Sequence, residues 1–193
     1  MTTTRRHACS RGFTLIELMV TVAIAAILMA IAAPSFTEFR RNSELTSAAN
    51  TLLASINAAR TEAMKRNMAA FVVPTDGSAW TNGWIVFVDT DNSQTYGATN
   101  DLLVSAQAAQ PSYMTVSGNG TAGETPPYIM FNASGYPAKK TGAFGALTLS
   151  LQRTDVATAR KDEQTRRIVI SSAGRVRVCK PATDTSCTNA ANE

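Results

Sequence analysis

The chain has 193 residues, enough for one membrane-sized segment and one domain with a single core. Its 18 Lys and Arg against 14 Asp and Glu give a formal charge of +4, but Arg5, Arg6 and Arg11 precede every acid, and without those three the balance is 15 to 14. Global charge therefore offers no argument for nucleic-acid binding. The single histidine, His7, lies in the same basic stretch, so the rest of the chain has neither a histidine base nor a histidine metal ligand.

Residues 13–33 form an apolar run of 21 residues whose only charge is Glu17. As a helix rising about 1.5 Å per residue it is roughly 31 Å long, one bilayer crossing. A carboxylate near the centre of such a span costs on the order of 3 kcal/mol, and somewhat less toward an end. It therefore needs a partner. A secretory signal peptide would have a shorter core, no embedded acid and a cleavage site after the core rather than before it. Cleavage between Gly12 and Phe13 instead removes the basic stretch, keeps the apolar helix and creates an amine four residues from Glu17. An uncleaved anchor helix is the alternative.

The run Gly12-Phe13-Thr14-Leu15-Ile16-Glu17-Leu18, with Pro34 further along, resembles the prepilin-peptidase signature of type IV pilins and pseudopilins. The resemblance implies a leader, residues 1–12, removed by prepilin peptidase and a methylated amine on Phe13. It also implies a helix, 13–34, that spans the membrane and then enters the filament core. Glu17 would engage the N-terminus of a neighbouring subunit during assembly. The three leader arginines face a far flank in which Glu38 and Glu44 balance Arg40 and Arg41. By the positive-inside rule the N-terminus is cytoplasmic, and the C-terminal part lies in the periplasm beyond a bacterial inner membrane until assembly into a pilus or pseudopilus. Of three cysteines, Cys9 falls in the leader, leaving Cys179 and Cys187 as a pair in an oxidising compartment. A disulfide is expected between them, two free thiols being the alternative.

Beyond Pro34, residues 35–67 continue as an amphipathic helix. Leu45, Ala49, Leu52, Leu53, Ile56, Ala59, Ala63 and Met64 recur at steps of three and four, and Lys65, Arg66 and Asn67 suit its C-terminus. Residues 68–193 read as β-rich. Strands are expected over 69–73, 84–89, 102–106, 113–116, 128–132, 147–151, 167–171 and 175–179, with turns at 75–77, 117–120, 134–137 and 172–174. The Gly-, Thr- and Pro-rich segment 118–127 is expected to be a mobile loop. The fold class is α+β, a long helix packed against antiparallel sheet, as the pilin resemblance also implies. The blocks Asn57–Asn67, Gly83–Asp89 with Asp91, Ile129–Asn132 with Gly135, and Ile168–Ile170 with Gly174-Arg175 are similar to the FimT/GspH-type minor pilins.

Few residues suggest catalysis, and no enzyme activity or cofactor is expected. Asp155, Asp162 and Glu163 read as acids balancing nearby cations. Asp89-Thr90-Asp91-Asn92 has calcium-like spacing, but Gln94 stands where an EF-hand loop needs its glycine, so no metal site is assigned. The basic C-terminal ribbon carries more information. In Gly174-Arg175-Val176-Arg177-Val178, alternation puts both arginines on one face, about 6.6 Å apart, near the spacing of successive phosphates. Arg166, Arg167 and Lys180 flank it, and from Arg153 to Lys180 there are eight basic and three acidic side chains.

The same residues also fit an exposed strand whose charges deter aggregation. In the FimT branch a C-terminal Gly-Arg-x-Arg segment is associated with DNA capture, and Gly174, Arg175 and Arg177 match it. The resemblance thus implies a minor pilin that joins other major and minor pilins and binds the DNA phosphate backbone, with little sequence preference, during natural transformation. The alternatives are a type II secretion minor pseudopilin, or a pilus-assembly initiator with no DNA-binding role.

Overall fold

A computed structural model describes residues 12–190. They fall into two compact units, one ending at Arg41 and the other beginning at Asn42. Helix α1, Leu15–Arg66, contributes to both. In the first unit the side chains of Phe13, Leu15, Ile16, Leu18, Met19, Val20, Val22, Ile24, Ile27, Leu28, Met29 and Ile31 are each more than half exposed. By length and composition this part can cross a membrane.

In the second unit the helix has a buried stripe. Leu45, Ala49, Leu52, Ile56, Ala59 and Ala63 have no exposed surface and step by four and three, while Met64, which the periodicity places with them, is 46% exposed. Nine strands follow: β1 (Ala70–Pro74), β2 (Trp84–Val88), β3 (Leu102–Gln107), β4 (Met114–Gly118), β5 (Ile129–Phe131), β6 (Pro137–Ala138), β7 (Leu147–Arg153), β8 (Thr165–Ile170) and β9 (Val176–Cys179), and all but β6 contribute to the core that holds the stripe. Eight of these match the expected strands to within a few residues. The two-residue β6 begins at the last position of an expected turn. One sheet has the order β3-β2-β1-β5-β6 and the other β4-β7-β8-β9, with every described pairing antiparallel.

Both sheets feed one core with the helix. Val72, Trp84, Val86, Ile129 and Phe131 come from the first sheet, and Leu147, Leu149, Leu151, Ile168 and Ile170 from the second. The buried Trp84 indole needs an acceptor and finds the Ser55 hydroxyl on α1 at 3.0 Å. Asn67 ends the helix at φ 55°, the left-handed cap its type permits, and the Met68 amide returns to the Ala63 carbonyl at 3.2 Å.

Two expectations are corrected. Segment 118–127 is not a free loop: Gly120–Gly123 forms a 3₁₀ turn with Thr121 and Ala122 buried, and the Trp80 indole donates to the Ala122 carbonyl at 2.8 Å. Arg153 is not part of the surface charge either. Alternation on β7 sends it inward after Leu147, Leu149 and Leu151, where it is fully buried. Asp155 receives it through two hydrogen bonds of 2.9 and 2.8 Å, and Gln164 Oε1 accepts a third at 3.3 Å. A fork-to-fork pair of this kind satisfies the guanidinium in place of water.

Removing one partner of a buried pair leaves an uncompensated charge. Asp155→Ala should therefore lower stability by about 3 kcal/mol, whereas Arg153→Met should cost less because the charge it leaves, the Asp155 carboxylate, is partly exposed to water. Glu163→Ala, which breaks the exposed pair of Glu163 with Arg160, should change stability by less than about 1 kcal/mol. Urea unfolding of the purified protein in detergent checks the order of the three.

Candidate functional site

The site is the β8–β9 hairpin and the tail that follows. Its turn is closed by the Gly174 amide on the Ser171 carbonyl at 2.8 Å and the Ser171 amide on the Arg175 carbonyl at 3.0 Å. The Arg175 amide also donates to the Ser171 hydroxyl at 3.2 Å. Gly174 sits at φ +83°, a conformation that favours glycine. The hairpin pairs Arg167 with Cys179, Ile168 with Val178, Val169 with Arg177 and Ile170 with Val176. Ile168, Ile170, Val176 and Val178 therefore face the core, and Arg167, Val169, Arg177 and Cys179 face outward.

This sorting divides the expected cations. Arg175 is exposed, and among the described residues its guanidinium has no hydrogen-bond partner. Arg175 and Arg177 line a cleft of about 160 Å³ with Val169 and Ser171. Arg177 also holds the tail: Nη1 lies 3.1 Å from Asp184 Oδ2 and 3.2 Å from the Ser186 hydroxyl, and Nη2 donates to the Ser186 carbonyl at 2.8 Å. The ion pair stays partly solvated, with side chains 21% and 37% exposed. Hydrogen bonds from Ser186, and then the charge of Arg177, hold the Asp184 carboxyl below its ordinary range.

Arg167 lies on the same outward face, but its Nη1 donates to the Cys187 carbonyl, which engages it with the tail. Arg166 corrects the expectation that it flanks the basic ribbon. Its parity with Ile168 turns it to the helix side, where Nη2 donates to Asn42 Oδ1 at 3.0 Å and to the Thr46 hydroxyl at 3.3 Å. Burial there lowers its pKa. Lys180 is half-buried at the start of the tail, where its carbonyl accepts the Thr183 and Asp184 amides.

The expected cysteine pair is a disulfide, Cys179–Cys187, with Cα atoms 5.8 Å apart. Both sulfurs pack with Val169 in a small cluster on the outward face. Beyond the bridge the tail crosses the sheet. The Ser150 hydroxyl donates to Asn189 Oδ1 at 3.3 Å, the Thr148 hydroxyl to the Ala190 carbonyl at 3.0 Å, and the Asn119 side chain to the Asn189 carbonyl. Sequence reasoning did not include Asp184, Ser186 or Ser171 in the site. Asp184 alone carried a signal, as an acid between two cysteines beside a basic strand.

At the other end of the chain, Thr14 caps α1. Its hydroxyl accepts the Glu17 amide at 3.3 Å and its carbonyl the Leu18 amide at 3.1 Å. Glu17 is thus at the third helical position of a Thr-x-x-Glu start, near the positive end of the helix dipole. Phe13 is 79% exposed ahead of it, and Gly12 precedes Phe13 outside the helix.

The acids at 89–101 come together with ligand oxygens of Asp89, Asp91 and Asp101 within 4.8 Å of one another. Their oxygens already serve the loop. Asp89 accepts the Ser93 and Gln94 amides, Asp91 the Ser93 amide and the Asn100 side chain, and Asp101 the Thr90 and Gly97 amides. Burial pushes the Asp89 carboxyl up.

Known proteins share this architecture. The family model described as type II transport protein GspH matches residues 48–174, and the prokaryotic N-terminal methylation motif matches residues 8–33. The pilin-like protein PilA1 of Thermus thermophilus is 30% identical over 174 residues, covering 87% of this chain and 97% of the relative. The crystal structure of the type IV minor pilin FimU from Pseudomonas aeruginosa PAO1 shares the fold. Its TM-score is 0.54 at 19% identity, covering 75% of this chain and 94% of that one. A second crystal form of FimU gives 0.51, also at 19% identity, over 71% and 94%. With the methylation motif at its start and the GspH model over well more than half its length, the chain belongs to the GspH family of type IV minor pilins and pseudopilins.

Proposed function

We propose that this chain is a minor pilin of the FimT kind, cleaved between Gly12 and Phe13, which joins a type IV pilus and binds extracellular DNA during natural transformation. The observation that carries the DNA reading is the exposed Arg175 beside Arg177 on a phosphate-sized cleft. Guanidinium forks suit phosphate oxygens, and phosphate contacts position a protein without reading bases. Three of the expected cations also serve the fold, Arg166 toward the helix and Arg167 and Arg177 toward the tail, so the interface is smaller than the local charge suggests. One observation favours the rival reading, a type II secretion pseudopilin with no DNA role: the matching family model is that of a type II transport protein.

The N-terminal half of α1 has the length and apolar surface of a membrane anchor. In the proposed order of events, prepilin peptidase removes residues 1–12 at the inner membrane and Phe13 is methylated. Glu17 then meets the amine of a neighbouring pilin. With the positive leader held inside, the β-rich unit stands in the periplasm, where a disulfide persists.

Processing has a direct readout. Mass spectrometry of protein extracted from membranes should show Phe13 as the first residue with one added methyl group. An intact leader in cells with active prepilin peptidase would reject the processing step.

DNA binding should be weak for a single copy. With about two phosphate contacts, the log–log dependence of affinity on salt should have a slope near −2 on duplex DNA. Arg175→Gln should reduce that slope by about one at little cost to stability, because its guanidinium is exposed. Arg177→Gln should weaken DNA binding too, but should also loosen the tail. Lys139→Gln with Lys140→Gln is the control, and should leave binding near wild type. Equal affinity of the Arg175→Gln protein and wild type at low salt would remove the capture site from this hairpin and favour the pseudopilin.

A further inference from the structure

The turn that carries Arg175 does not rest on the hairpin alone. Arg60 of α1 donates from Nη1 to the Gly174 carbonyl at 2.7 Å, across 114 residues of sequence. Its guanidinium also packs on the glycine itself, since a Cβ added at Gly174 would stand 3.3 Å from Arg60 Nη2 and 3.4 Å from the Gly135 carbonyl. Gly135 completes the seat from the other side: it adopts φ +77°, and a Cβ there would meet Met64 Sδ at 2.6 Å and Arg60 Nε at 3.4 Å. Arg60 Nε is buried and has no partner, so this side chain is placed by its contact with the turn rather than by solvent. The two glycines, the helix arginine and Pro137 thus form one close-packed joint behind Ser171–Arg175.

We propose that Arg60 is a positioning residue for Arg175: it fixes the β8–β9 turn on the helix so that the Arg175 guanidinium projects beside the Val169–Ser171–Arg177 cleft. The proposal rests on the DNA reading for its function, but not for its geometry. The physical reason is one of order. An exposed arginine loses side-chain and backbone freedom when it grips a phosphate, and a turn already fixed by a charge-assisted hydrogen bond has less freedom left to lose. Without Arg60 the Gly174 carbonyl loses that bond, and the turn keeps its own short hydrogen bonds to Ser171 and its packing on Gly135 and Pro137. Arg60 is not itself a phosphate contact, because its donors are directed into the joint.

The test uses the full-length protein in detergent as wild type, Arg60→Met, Arg175→Gln and the double variant. Two quantities are read: deuterium uptake of the peptide covering Ser171–Arg175, and affinity for a short duplex DNA at low salt. Arg60→Met should speed exchange in that peptide about tenfold, the scale of one hydrogen bond to a charged group. It should weaken DNA binding several-fold, and the double variant should bind no more weakly than Arg175→Gln alone, since Arg60 acts through Arg175. Unchanged exchange in Arg60→Met overturns the proposal whatever the DNA result. A loosened turn with wild-type DNA affinity, when Arg175→Gln does weaken binding, overturns it as well. If Arg175→Gln binds like wild type, the DNA reading fails, and exchange at the turn alone decides whether Arg60 positions it. Should Arg60→Met fail to fold, Arg60→Gln applies the same criteria, because its shorter, neutral amide stays polar but removes the charged donor to the Gly174 carbonyl.

Discussion

The buried stripe of α1 from Leu45 to Ala63 is the constraint on which the β-rich unit depends. Both sheets share a single core with it, and the second is held in place by what packs on its inner face. The stripe mixes Leu45, Leu52 and Ile56 with Ala49, Ala59 and Ala63, all without exposed surface. Each large side chain contributes about 1.5–3 kcal/mol on burial, and the alanines let the sheets approach the helix closely. The N-terminal part of the same helix has the opposite surface, with large apolar side chains exposed from Leu15 to Ile31. A surface of that kind is satisfied by lipid or by other apolar helices, the two environments a pilin anchor passes between.

That helix also determines where charge can act. Arginines at 60, 153, 166, 167 and 177 all reach carbonyls, carboxylates or amides of the chain itself. They hold the turn, the end of β7, the helix start of the second unit and the tail. Arg175 differs because it sits at the hairpin tip, outside the ladder and clear of the tail. A single exposed cation beside a partly engaged one is a modest anion site. Its effect in a filament would come from the number of copies and neighbours brought together, through effective concentration.

Much of this was legible because periodicity reports faces. The three- and four-residue spacing from Leu45 to Ala63 marks the helix stripe, and alternation marks eight strands. The two downstream cysteines point to the pair that forms the Cys179–Cys187 bridge. What stayed hidden has physical reasons. A two-residue strand such as β6 has no period to detect. Arg153 continues the inward alternation of Leu147, Leu149 and Leu151, but its polarity disguises it until Asp155 and Gln164 are seen to satisfy it. The segment 118–127 has loop composition, yet its anchor is the indole of Trp80, far away in sequence. For the arginines the signal was present: Arg166 shares the parity of Ile168 and Ile170 and so had to turn inward. Arg60 gave no such sign, because a long-range hydrogen bond to a carbonyl leaves no pattern in the chain.

Whether the chain is a subunit of an extracellular pilus is tested most directly on purified filaments. Pili sheared from the cell surface and washed free of membrane should contain this chain, identified by peptides from Asn42–Arg60 and from the tail, at a small fraction of the major subunit. Detection only in the inner-membrane fraction, with none in sheared pili from cells that express both, would contradict the account and leave a pseudopilin that never reaches the surface.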